Sequence, residues 1–316
     1  MTRVAVLVER HGDHVAGPTL EALTLGRSLG EVVAVWLGGS PSPEAVASLG
    51  EYGASEVRVV EPEVRVAAAA AAALEAASHD CDVLIVVSTF VNKELATRLA
   101  LATGAGMVVD AAGAALVDGR VETMQTVFAA TWNVRTRIVA EKAIVGVRPN
   151  TTQAVAVSGA PSATVVAVPF EVPTTREAVV HVEAVEASDG VPLDEAPVVV
   201  SGGRGTGGDY ALIREFAELL GGAVGASRDA TDEGWISHEH MVGQTGTTVT
   251  PALYVAAGIS GAVHHRGGMQ ASGTIVAVNL DPDAPIFEIS DFGVVGSLFD
   301  VLPGAIARIR EVRSAG

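Results

Sequence analysis

Short apolar runs recur along the early part of the chain, each separated from the next by a stretch of helical periodicity. Val4–Val8, Val32–Leu37, Val57–Val60 and Val83–Val87 are nearly continuous apolar segments rather than alternating ones. That is the pattern of strands buried on both faces of a parallel sheet. Between them, Thr19–Leu29, Pro43–Leu49, Val64–Ala77 and Asn92–Leu101 read as helices. Pro43 directly follows Ser42, where a first-turn proline and its cap residue belong. The βαβ succession predicts an α/β fold with helices on both sheet faces, a nucleotide-binding-like arrangement.

From about Met107 the texture changes. Val121–Phe128, Arg135–Val139 and Ala143–Val147 are strand-like with no long helix between them, Pro149 and Asn150 form a turn, and Thr151–Val168 is β-rich up to Pro169. The acidic stretch Glu183–Pro197, with two prolines and Gly190, reads as a linker. It divides the chain into an N-terminal α/β domain, 1–190, and a C-terminal domain, 191–316. A second βαβ series fills the latter. Val198–Val200, Ala223–Val224, Leu253–Ala257, Thr274–Val278 and Ile286–Ile289 are its strands, Tyr210–Leu220 is a helix, and Val294–Arg310 contains the last helix. This second part is predicted to be doubly wound. No repeat of 20–50 residues is present.

Composition narrows the function. The chain has 316 residues, 20 basic against 37 acidic ones, a formal net charge of -17 and 49% hydrophobic residues. It can bury sizeable cores and is not a disordered chain. Its acidity argues against nucleic acid or an anionic membrane surface as main partner. The single cysteine, Cys81, excludes an intrachain disulfide framework and a multi-thiolate cluster. The N-terminus reads as a first strand rather than a secretory leader. The alanine run Ala67–Ala73, flanked by Arg65 and Glu75, reads as a helix rather than a membrane span. Lysine occurs only at positions 93 and 142, an arginine bias that fits a GC-rich bacterial genome and an expected cytoplasmic location.

The unusual chemistry is concentrated in the second part. Ser201–Gly208 (SGGRGTGG) follows a strand and contains Gly203-x-Gly205-x-x-Gly208, which permits a tight turn and close backbone approach to a pyrophosphate. The nicotinamide form of this motif places an acidic residue at the end of the second strand. Here that strand ends in Gly225-Ala226-Ser227-Arg228, with Asp229 only beyond it. Arg204 within the turn can clamp a phosphate or a flavin edge. Ser227 can cap a helix or donate to a phosphate, and Arg228 can place a fixed charge over a ring. Gly243-Gln244-Thr245-Gly246 is a polar loop with two hydrogen-bonding side chains. Gly258-Ile259-Ser260-Gly261-Ala262-Val263-His264-His265 follows an apolar strand with small residues that allow close ligand approach. Adjacent histidines do not face the same way on a helix, so they are poor joint metal ligands. His238 and His240 lack a third ligand at zinc spacing, and no metal site is expected.

In order, SGGRG, GASRD, GW, VGQTG, LYVAAGISGAVHH, IVAVNLDPDAPIF and DFGVVG resemble the alpha subunit of electron transfer flavoprotein. The resemblance covers essentially all of 197–302 and is weaker but recognisable over 1–190, where GVRPN recurs. It implies a heterodimer with a beta subunit that carries AMP, and a C-terminal domain that holds one FAD. It also implies an electron carrier without its own substrate turnover. Electrons would come from acyl-CoA dehydrogenases of fatty acid beta-oxidation and related flavoenzymes, and leave to a membrane quinone oxidoreductase.

Position by position, the resemblance places Arg204 in the glycine turn near the FAD, Ser227 on the FAD and Arg228 over the isoalloxazine. Gly243, Gln244 and Thr245 form the loop on the flavin, with Thr245 near N5. Ser260, Gly261, Ala262, Val263, His264 and His265 lie under the pyrophosphate and ring edge, with His265 near O2. Asn279 is an adenosine-side contact and Leu298 another. A flavin reduced by one electron needs negative charge stabilised at its N1–O2 edge, which Arg228 and His265 can supply. The chain departs from the family at His264 (usually Gln), Thr247 (often Lys) and Ser297 (often acidic), departures that bear on flavin electronics. Two other functions remain open from the residues alone: a nicotinamide-dependent dehydrogenase using Gly203–Gly208, and a non-redox nucleotide-binding scaffold subunit.

Overall fold

The computed structural model describes residues 2–128, 132–159, 162–182 and 191–314. The chain folds into two compact units, Met1–Thr126 with Asn133–Val185, and Val127–Trp132 with Glu186–Gly316. The predicted boundary at 190/191 lies outside the described residues.

The first unit contains β1 (Arg3–Leu7), the ribbon β2 (Arg10–His11) and β3 (His14–Val15), α1 (Gly17–Leu29), β4 (Glu31–Leu37) and α2 (Pro43–Glu51). It continues through β5 (Ala54–Val60), α3 (Ala67–Ser78), β6 (Val83–Val87), α4 (Phe90–Thr103) and β7 (Gly106–Val117). β8 (Arg120–Val127), β9 (Trp132–Arg137), β10 (Ala143–Val147) and β11 (Thr164–Ala167) follow. Nine strands form one sheet in the order β11-β5-β4-β1-β6-β10-β7-β8-β9. Pairing is parallel from β11 to β7 and antiparallel between β7 and β8.

Alternation along a strand explains the continuous apolar runs. Val4, Val6, Ala34, Trp36, Val83 and Ile85 join one core with Leu23 and Leu49 of α1 and α2. Ala5, Leu7, Val35, Leu84 and Val86 join the other with Leu74, Leu95 and Leu99 of α3 and α4. Ser42 accepts the Ala45 N–H as predicted for a cap, and Thr89 does the same for Asn92. No helix of the described residues is long and apolar enough to cross a membrane.

The second unit contains β12 (Val198–Gly202), α5 (Ala211–Leu220), β13 (Ala223–Ala226), α6 (Arg228–Asp232), β14 (Leu253–Ala257), α7 (Val263–Met269), β15 (Thr274–Asn279), β16 (Phe292–Val295) and α8 (Leu298–Ser314). Its five strands run parallel in the order β13-β12-β14-β15-β16. The chain winds one way from β12 and the other way from β14, so the switch point lies between those two strands. One face packs Val200, Val255 and Val278 against Ile213, Phe216, Leu302 and Ile306 of α5 and α8. The other packs Val199, Tyr254 and Ala277 against Met269 and Ile286.

Three expectations change. Ile286–Ile289 is not a strand: Pro285–Ile289 is a 3-10 turn, and the edge strand is Phe292–Val295. Pro285 has no N–H for a ladder, and the Ile286 N–H is donated to the Ser260 carbonyl. Gly106–Val117 falls outside the predicted strands, yet it pairs with both β10 and β8. Within Thr151–Val168, only Thr164–Ala167 is strand among the described residues.

Candidate functional site

The carboxyl ends of β12 and β14 are joined backbone to backbone. Gly203 N–H donates to the Ala257 carbonyl at 3.0 Å and Gly205 N–H to the Gly258 carbonyl at 2.9 Å. No side chain fits in this seam: a Cβ on Gly205 would lie 2.6 Å from the Gly258 Cα. The glycine turn then makes a short 3-10 segment, Arg204–Thr206, and α5 starts only at Ala211. The turn therefore lines the sheet edge instead of feeding a helix directly.

Above this seam lies a cavity of about 480 Å³, within the usual size range of small-molecule sites. Arg204, Ser227, Arg228, Gly243, Thr245, Ser260, Ala262, His264, His265, Asn279 and Leu298 all line it. These residues come from the carboxyl ends of all five strands and the loop at Thr245, and they converge only through the fold. Gln244, Gly261 and Val263 are not among the lining residues. Gln244 lies across Gly267 of α7, and Gly261, at φ +85, is tucked against the Ile286 backbone. Val263 opens α7 and is exposed.

Gly205, Asp229, Val242, Gly258, Ile259, Val278, Leu280, Gly296, Ser297 and Phe299 complete the wall; of these, Gly205, Gly258 and Ile259 belong to the ligand-approach turns read from the sequence and Ser297 to its family departures, whereas Val242, Val278, Leu280, Gly296 and Phe299 are not assigned to the site by the sequence. Their signal is positional: Val278, Leu280, Gly296 and Phe299 lie at or a few residues beyond a strand end, and Val242 adjoins the Gly243–Gly246 loop.

Polar geometry shows what the cavity can hold. Ser227 precedes α6 but makes no side-chain cap bond. Its Oγ is buried with no hydrogen-bond partner. A buried hydroxyl without a partner is destabilising, and an acceptor in the adjoining cavity would satisfy it. Arg204 Nη2 lies 2.6 Å from Asp229 Oδ2, and Arg228 Nε 3.2 Å from Asp232 Oδ2. Both pairs are largely exposed, so each holds its arginine loosely. Asn279 donates to the Ile259 carbonyl at 2.8 Å and accepts the Asp281 N–H at 3.0 Å, which fixes the loop beneath the cavity.

His264 is exposed, whereas His265 is 7% exposed. Burial pushes the His265 imidazole down to about 4, against a weaker opposing pull from Val242. His265 is therefore neutral near pH 7. A neutral imidazole would stabilise negative charge as a hydrogen-bond donor, and the fixed positive charge at this cavity comes from Arg204 and Arg228.

These residues fit a dinucleotide cofactor such as FAD. They offer a glycine seam bare of side chains, an unsatisfied buried hydroxyl, two exposed guanidinium groups and a mixed polar and apolar wall. His240 Nδ1 is bonded to the Val224 carbonyl at 2.9 Å. No three metal-ligating side chains cluster among the described residues.

Comparison with known proteins agrees with this geometry. Residues 4–173 match the electron transfer flavoprotein domain, and residues 192–270 the electron transfer flavoprotein FAD-binding domain. The electron transfer flavoprotein subunit alpha of Mycobacterium leprae (strain TN) is 39% identical over 316 residues, 96% of each chain. That of Bacillus subtilis (strain 168) is 34% identical over 317 residues, 95% of each chain. Protein FixB of Clostridium saccharobutylicum is 32% identical over 338 residues, 99% of this chain and 97% of its own. The FAD-binding match spans the glycine turn, Ser227, Arg228, Thr245 and His265, and the similarity runs the length of both units: the chain belongs to the family of electron transfer flavoprotein alpha subunits.

Proposed function

We propose that this chain is the FAD-carrying half of a cytoplasmic heterodimer that ferries electrons. Its beta partner holds AMP. Electrons arrive from acyl-CoA and related dehydrogenases and leave to a quinone oxidoreductase. The N-terminal domain, 1–190, contacts the beta subunit, and the C-terminal domain, 191–316, binds the FAD. The observation that carries this reading is the unpartnered Ser227 Oγ in a cavity where the family's flavin-contacting residue types converge. A nicotinamide dehydrogenase loses support because β13 ends without a carboxylate, and the nearby Asp229 is engaged with Arg204.

Bound FAD would supply reversible electron transfer. The chain's own residues bind and tune it. Gly203, Gly205 and Gly258 leave room for close backbone approach, and Ser227 and Arg204 hold the phosphates. Arg228 contributes a fixed positive charge, Thr245 a hydroxyl, and His265 a neutral ring. No nucleophile or general base is needed, since no substrate bond is made or broken.

Arg228→Ala tests the electrostatic part. Removing one exposed charge of about 1 kcal/mol lowers the flavin potential by roughly 40–60 mV per electron. Potentiometric titration reads this, and an unchanged potential removes Arg228 from the tuning role. Thr245→Val removes a hydroxyl at nearly constant volume. It is expected to shift the flavin absorption bands and alter the potential by about 1 kcal/mol equivalent; a spectrum and potential identical to wild type count against it.

The described N-terminal residues leave Phe90, Val91, Leu101 and Val139 exposed, apolar area that a partner would cover. Expressed without its partner, the chain is expected to self-associate and to hold FAD below stoichiometry. Gel filtration giving a stable, fully loaded monomer contradicts this.

A further inference from the structure

Tyr254 is wholly buried in β14. Its phenol oxygen lies 3.0 Å from His265 Nε2. The two rings meet edge to face, with centroids 6.0 Å apart at 61°. The other ring nitrogen, His265 Nδ1, is buried with no hydrogen-bond partner. His265 itself lines the cavity described above.

A neutral imidazole carries one proton, and the bond at one nitrogen decides which nitrogen holds it. If Nε2 donated to the phenol oxygen, the phenol proton would need an acceptor of its own in the core, and Nδ1 would be a bare lone pair. Two buried groups would then be left unsatisfied, each at a desolvation cost. If the phenol donates to Nε2, its proton is used and Nδ1 carries N–H. Only that N–H is left: the Val242 backbone exerts a weak pull toward a protonated ring but makes no hydrogen bond to Nδ1, and the ring lies at the wall of a cavity where a ligand acceptor can meet the N–H.

We propose that Tyr254 is a positioning residue: its O–H donates to His265 Nε2, fixes the imidazole as the Nδ1–H tautomer and so keeps a hydrogen-bond donor available for the bound cofactor. The proposal rests on the reading of the cavity as an FAD site. Tyr254 touches His265 and acts through it. Arg204, Arg228 and His264 line the same cavity, and none of them is bonded to the His265 ring.

The test is long-range proton–nitrogen NMR on protein labelled at histidine nitrogen, purified with its partner subunit. His265 is identified by the signal that disappears in His265→Gln. The proposal expects the neutral Nδ1–H pattern at pH 7 in the wild type. In Tyr254→Phe it expects that pattern to give way to Nε2–H, together with a changed flavin potential. An Nε2–H tautomer or a charged ring in the wild type overturns it, and so does an unchanged tautomer in Tyr254→Phe. The wild-type spectrum decides even if the variant does not fold. Flavin content is measured on the same sample. A chain without FAD that still shows the Nδ1–H tautomer overturns the cofactor reading and leaves the Tyr254–His265 bond standing.

Discussion

Gly205→Ala is expected to weaken flavin binding by roughly five- to 150-fold and so to lower flavin occupancy. A Cβ at this position meets the Gly258 Cα at 2.6 Å and its carbonyl oxygen at 3.1 Å. Both are backbone atoms, so no side chain can swing away. The Gly205 N–H also donates to that carbonyl, and the substitution forces the two strand ends apart. Overpacking of this kind costs about 1–3 kcal/mol, and about 1.4 kcal/mol is tenfold in binding. The glycine turn and the loop after β14 would separate at the floor of the cavity. Gly207 provides the control. It has φ +58 with nothing within 4 Å of a Cβ, and asparagine tolerates that conformation, so Gly207→Asn is expected to keep its flavin. The flavin-to-protein absorbance ratio of purified samples checks both, and equal occupancy in the two variants contradicts the seam argument.

Arg58→Met is expected to destabilise the N-terminal unit by about 3 kcal/mol. Arg58 is 8% exposed on β5. It donates to the Ala77 carbonyl at 2.7 Å, to Asp80 at 2.5 Å and to Glu56 at 2.6 Å. Arg3 joins the cluster through Asp80. Removing the central cation leaves two part-buried carboxylates short of a partner, and breaking such a pair costs about 3–5 kcal/mol. The partial exposure of the carboxylates sets the lower end. For a unit of this size the melting temperature falls by roughly 6–12 °C.

The same cluster carries a pH signature. The Arg58 hydrogen bond holds the Asp80 carboxyl far below the usual carboxylate range. A carboxyl depressed in the folded state contributes stability above its unfolded value of about 4 and loses it as pH falls toward the folded value. The wild type therefore loses this contribution in acid below about pH 4. Asp80→Asn is expected to be less stable at pH 7 and to show a flatter loss below pH 4. Calorimetry across that range decides; parallel curves for the two proteins contradict the assignment.

Much of this is legible in the chain, and the misses have physical causes. Val83–Val87 and Ala143–Val147 declare themselves because both faces are buried, so nearly every residue is apolar. Gly106–Val117 contains the run Ala111-Ala112-Gly113-Ala114-Ala115, with little intrinsic β preference. Pairing with neighbours on both sides makes it a strand. Ile286 looks like strand interior because it is apolar and fully buried, but its burial comes from plugging the turn at Gly261. In the site, Arg204, Ser227, Thr245 and His265 are readable because each follows a strand end or lies in a glycine-flanked loop. Val242, Val278 and Phe299 are not, since only the convergence of the elements makes them walls. The Tyr254–His265 bond is also hidden: it joins the interior of a strand to the helix that follows.

The central claim is that the cavity at the β12–β14 switch point holds an electron-carrying FAD. The measurement that tests it most directly is the visible absorption spectrum of the chain purified with its partner subunit, followed by stepwise photoreduction. The account predicts flavin bands corresponding to about one FAD per alpha chain. It also predicts bleaching in two one-electron stages, with a red intermediate spectrum between them. A colourless protein that remains colourless after addition of FAD contradicts it.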